Sequence, residues 1–172
     1  PYVQVKVLHF SDYYYGLTEA ALSLGFILVG IYLSARKAIR YPLLLAWKSI
    51  LTIGGLVALM GAVLWLPLST DAFFAFFLLI SLIFGGISTA VNIPMMTWVT
   101  QIVPTHYQGR IFNIVSTASQ LLSPLGMVIF SLGFDYLPAS LLFLLCGVIM
   151  IGVTAYWPRF YKVNILSNQL ED

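Results

Sequence analysis

Few side chains in this sequence could do chemistry, and those that could are embedded in long apolar stretches. Glu19 lies about five residues inside the first of them. An ionisable group in hydrocarbon is unfavourable unless it faces a protein interior or water. At helical spacing Glu19 aligns with Tyr15, Ser23, Phe26, Gly30 and Ser34. If that stripe faces a cavity, partial burial disfavours the charged carboxylate and allows reversible proton uptake. If it faces the membrane interface, Glu19 is a carboxylate reaching water. Both readings follow from the residues.

A second set lies further on. Asn113, Ser116, Thr117, Gln120, Ser123 and Ser131 fall within an arc of about 120° at 100° per residue. Pro124 shares that face and frees the backbone carbonyl of Gln120, four residues earlier. Upstream, Ser81, Gly85, Ser88, Thr89, Asn92 and Met96 form one face, and Pro94 frees the carbonyl of Ala90. Close packing through small residues explains Gly85 and Ser88. Asn92 and Gln120 are amides on helices expected to bend at proline, which suits a water-filled pathway.

These residues need elements to hold them, and the composition dictates which. Sixty per cent of residues are hydrophobic and 8% charged, with a mean hydropathy of +0.97; soluble domains carry about 25% charged residues. A helix crossing hydrocarbon needs about 20 apolar residues. Five stretches qualify, at 14–34, 43–66, 72–99, 111–134 and 140–157. The expected architecture is an all-α, polytopic bundle over 14–158, preceded by the end of another helix and a loop over 1–13. A cytoplasmic tail over 159–172 follows.

Charge placement orients the bundle. Arg36, Lys37, Arg40, Lys48, Arg110, Arg159 and Lys162 fall at alternate ends of the five stretches, and Lys6 alone falls at the other side. Loops rich in Lys and Arg remain cytoplasmic. The amino end is therefore expected outside and the carboxyl end in the cytoplasm of a cell membrane. Lys48, near the cytoplasmic end of the second stretch, is expected to extend its ammonium to the headgroups. The second and fifth stretches carry almost no other polar groups and are expected to be lipid-facing supports.

Other classes are excluded. No paired aspartates, Ser–His pair or His–Glu metal motif occurs within the spans, so neither an intramembrane enzyme nor a metal or cofactor site is expected. Cys146 is alone in an apolar run and reads as a small buried hydrophobe. His9 and His106 belong to connections on opposite faces. No basic stripe is continuous with stacking aromatics, which excludes a nucleic-acid surface. The opening residues lack the basic and apolar regions of a signal peptide, and a stretch of a longer chain is expected.

The segment Val103-Pro104-Thr105-His106-Tyr107-Gln108-Gly109-Arg110-Ile111-Phe112-Asn113 resembles the loop after the tenth helix of the major facilitator superfamily. The likeness is to its macrolide-efflux and enterobactin-exporter group. Pro124-Leu125-Gly126, Gly133-Phe134-Asp135, Tyr15-Gly16-Leu17, Gly25 and Gly30 resemble further motifs of that group, in the same order. The resemblance implies helices eight to twelve of a twelve-helix fold, with 1–7 as the end of helix seven. It implies that the eighth, tenth and eleventh helices border a central cavity and the ninth and twelfth lie outside. Gly109 and Arg110 would then belong to a cytoplasmic loop motif. Between Ser34 and Arg40 the acidic residue and full glycine pattern of the family's signature are missing; Gly30, Arg36, Lys37 and Arg40 resemble it.

The expected function is part of a proton-coupled efflux transporter for an amphiphilic small molecule, with Glu19, Asn92, Asn113, Thr117 and Gln120 lining the path. Its partners would be the bilayer, the substrate, protons and an amino-terminal half. The other reading is a non-transporting five-span subunit of a larger complex.

Overall fold

The computed structural model describes residues 3, 4, 8, 10–35 and 42–160, except for the side chains of the last four. The basic residues 6, 36, 37, 40 and 162, and His9, lie outside the described residues, as does the side chain of Arg159. Five helices follow one another: α1 Asp12–Ser34, α2 Pro42–Val63, α3 Thr70–Ile102, α4 Thr105–Tyr136 and α5 Ala139–Phe160. Each is long and apolar enough to cross a membrane, and no strand occurs among the described residues.

Local chemistry sets the helix ends. The Ser11 and Ser69 hydroxyls accept hydrogen bonds from the backbone N–H of Tyr14 and Ala72, and Asp12 and Asp71 add negative charge in the first turns. Pro42 opens α2, where its missing N–H is no loss. Val103 and Leu137 are extended, with ψ of 123° and 143°, because each precedes a proline whose ring disfavours helical backbone there. Those two residues reduce the α3–α4 and α4–α5 connections to a few atoms of backbone.

The ends depart from the apolar boundaries in one informative way. α4 begins at Thr105, so Gly109 and Arg110 lie in its first two turns and not in a loop. The polar residues after Pro104 continue a helix because nothing after that proline breaks it. α3 and α4, at 33 and 32 residues, are each roughly 50 Å long at 1.5 Å per residue, well beyond a hydrocarbon core of about 30 Å. Pro94 and Pro124 both sit inside them.

Packing is organised in pairs. α1 runs parallel to α3, α2 runs antiparallel to α5, and α2 joins the pairs by packing on α3. Glycine permits both pairs. A Cβ on Gly25 would strike the Leu82 carbonyl, and one on Gly85 would strike the Leu22 carbonyl. Across the other pair, a Cβ on Gly61 would lie 2.6 Å from the Ser140 carbonyl oxygen, and one on Gly54 2.9 Å from Ile151. Small residues let backbones approach where lipid supplies no hydrophobic drive for association. Two indoles fasten this pair near its ends: Trp47 Nε1 donates to the Thr154 carbonyl at 2.8 Å, and Trp65 Nε1 to Ser140 Oγ at 2.6 Å. α2 and α5 are thus a tight antiparallel unit.

The opening segment belongs to the bundle. Val3 and Phe10 are buried with Phe73 and Phe77 in one cluster, and the Phe10 ring meets Phe74, Phe77 and Tyr14 edge-on. α4 stands apart: it has no buried residue and touches α5 over a short stretch. There Gly133 abuts Leu142, and the Phe134 and Phe143 rings lie 6.0 Å apart.

Candidate functional site

At the end of the bundle where α1, α3 and α5 begin, all five helices and the opening segment converge on a cavity of about 240 Å³. Gln4, Glu19 and Ser81 form its polar wall. Met60, Phe77, Phe134 and Phe143 form the apolar one. Thr18, only 1% exposed, fixes the polar side: its Oγ1 donates to the Tyr15 carbonyl at 2.8 Å and accepts from Gln4 Nε2 at 3.2 Å. Gln4 is therefore held in place before any ligand arrives. Glu19 is exposed at the open side, one turn from Tyr15, whose side chain interacts with its carboxylate.

Glu19 is the one pathway candidate that lines this cavity; the other four stand elsewhere. Asn113, Thr117 and Gln120 are exposed on α4. The partly covered positions of α4 are Gln108, Ile111, Phe112, Gly126, Gly133 and Phe134. At 100° per residue Gln108, Ile111, Gly126 and Gly133 lie about 120° or more from the centre of the polar stripe, Phe112 lies near its edge and Phe134 falls within its arc. Asn113, Thr117 and Gln120 themselves are left uncovered by the described residues of the bundle. Gln120 Nε2 donates to Ser116 Oγ at 3.0 Å, along its own helix.

Asn92 is exposed on α3 and donates from Nδ2 to the Ser88 carbonyl at 2.8 Å, again within its helix. α4 meets α3 through Gln108 at the corner and Phe134 at the cavity end, while Asn92 and Gln120 each bond within their own helix, so the structure does not bring those two together as a pair. The face from Ser81 to Met96 is divided. Gly85 and Thr89 are buried against α1, with Thr89 Oγ1 within 3.4 Å of the Phe26 carbonyl; Ser81 lines the cavity; Asn92 and Met96 are open. Lys48 is exposed near the start of α2, as a headgroup-reaching cation requires.

At the α3–α4 corner, Gln108 Nε2 donates to the carbonyls of Thr100 and Val103, both at 2.9 Å. These are orphan acceptors of a helix end. Arg110 is exposed, and a Cβ on Gly109 would meet nothing within 4 Å.

Sequence reasoning missed Gln4, Thr18 and Gln108. Gln4 is the one amide in an apolar opening segment, which was a usable signal. Nothing in the sequence marked Thr18, since its role depends on where the opening segment packs.

Among the described residues the three aspartates, Asp12, Asp71 and Asp135, lie at the cavity end, while Lys48 and Arg110 lie towards the other. Five membrane-crossing helices, large exposed apolar faces and this charge division define a polytopic α-helical membrane protein. The chain belongs to the Major Facilitator Superfamily, whose sequence pattern matches residues 1–127. It is similar to an uncharacterized MFS-type transporter, YfiS, of Bacillus subtilis (strain 168), at 38% identity over 82 residues. That match covers 46% of this chain and 18% of the relative, so the chain accounts for less than a fifth of that protein's length. No solved structure matches the chain. The family is one of membrane transporters.

Proposed function

We propose that these helices form the carboxyl-terminal half of a proton-coupled exporter of an amphiphilic small molecule of the antibiotic or siderophore class. Such a transporter rocks two halves about a midplane site, opening it alternately to each side of the membrane. The observation that carries this reading is the exposure of the α4 stripe. Asn113, Thr117 and Gln120 are uncovered by their own bundle, and polar groups at membrane depth need water or another protein surface there. In this reading they and Asn92 line the path, and a second half of the protein stands opposite. Glu19 is the one acidic residue within the apolar stretches and takes the coupling proton. The cation-rich connections lie in the cytoplasm, and the amino end of the sequence lies outside.

The test is accumulation of candidate substrates in cells making the intact protein that contains these residues. Cells with the protein should hold less substrate than cells without it, and a proton uncoupler should erase the difference. Glu19→Gln should erase it as well. Equal accumulation with and without the protein, or export indifferent to the uncoupler, would overturn the reading.

A further inference from the structure

We infer that the cavity beneath the end of α4 is a binding site for a small organic cation with an ammonium head. This deepens the transport reading, on which it rests, by naming what shares Glu19 with the proton.

The cavity's chemistry points to that class. Among the described residues its lining contains one carboxylate, Glu19, and no Lys, Arg or His. A carboxylate beside walls this apolar favours a positive ligand. The walls suit a soft cation over a hydrated metal ion. Phe77, Phe134 and Phe143 present three aromatic rings, whose faces attract ammonium groups. A metal ion needs several oxygen ligands, and no cluster of three His, Cys, Asp or Glu exists among the described residues. Gln4 and Ser81 are neutral groups able to accept an N–H or orient a polar substituent. At about 240 Å³ the space is smaller than typical drug pockets of about 300–1,000 Å³, so it takes a compact ligand or the head of a larger amphiphile.

The position gives occupancy a consequence. Phe134 lines the cavity and also forms, with Gly133, the contact of α4 on α5. A cation stacked on Phe134 therefore bears directly on the place where α4 is fastened.

Two sources could supply an ammonium head: a free cation or an amine-bearing lipid. The test uses the intact protein in nanodiscs of phosphatidylglycerol, with radiolabelled benzyltrimethylammonium as probe and its uncharged carbon isostere, neopentylbenzene, as competitor. Saturable binding is expected, reduced at least tenfold by Glu19→Gln and about fivefold by Phe134→Leu, which keeps apolar bulk but removes the ring. Lys48→Gln should leave it unchanged. Competition by added phosphatidylethanolamine, lost in Glu19→Gln, would assign the site to a lipid amine; absence of competition would assign it to a free cation. Undiminished probe binding in Glu19→Gln, or equal displacement by neopentylbenzene, would overturn the inference. Uncoupler-sensitive export alongside absent probe binding would overturn this inference alone. Intact binding with uncoupler-insensitive export would overturn the transport reading alone.

Discussion

Gly25 and Gly55 are both helical glycines in apolar stretches, and their neighbours give them opposite expectations. A methyl group at Gly25 would run into the Leu82 backbone, whereas one at Gly55 meets nothing within 4 Å. Gly25→Ala should therefore lower stability in detergent by about 1–3 kcal/mol, as overpacking does. Gly55→Ala should be neutral or raise stability by up to about 1 kcal/mol, since alanine is the better helix former. Thermal unfolding of the two purified variants decides between them, and equal effects would show that the α1–α3 contact is not close. At this scale the sequence was readable where a residue's type is rare in its surroundings. Glu19, Asn92 and Gln120 stood out as polar groups among apolar ones, and Gly85 as a small one on a polar face. Gln4 was equally rare in its segment, but its bond to Thr18 was not readable, because it joins residues fourteen apart through a fold the pattern cannot display.

The helices themselves were legible to within a few residues, because about 20 consecutive apolar residues admit little else. The misplaced boundary was the start of α4. Apolarity ends near Ile111, but helical backbone continues to Thr105 through Gly109 and Arg110, and hydropathy does not report backbone conformation. Gln108 is the residue that makes this corner rigid, since its amide satisfies two carbonyls of the α3 end. Gln108→Ala should remove about 1 kcal/mol of local protection. Amide exchange at Val103, whose N–H bonds Val99, should then accelerate about fivefold. Unchanged exchange would show that the chain turn alone holds the corner. Pairing of helices was less legible than their existence. α2 and α5 read as plain lipid-facing segments, yet Gly54, Gly61 and Gly147 bring their backbones together, and only the partner helix shows that those glycines face one another.

For the molecule as a whole, the division of charge makes a direct prediction about sidedness. In the intact protein with Cys146 and every other cysteine replaced by Ser, a cysteine at Thr70 should react with a membrane-impermeant maleimide on intact cells. One at Thr105 should react only after permeabilisation. The reverse pattern would invert the topology. Charge placement could be read from sequence because insertion acts on whole connections. The standing of α4 could not, because a polar stripe does not say which helix its other face packs on. That standing has a mechanical consequence. From Gly133 to Thr105 the helix extends about 42 Å at 1.5 Å per residue, tied at one end by Gly133 and Phe134 and at the other by the Gln108 bonds to the end of α3. It is a long strut pinned at both ends: a tilt of about 10° at Phe134 carries Arg110 roughly 6 Å, and the end of α3 must move with it.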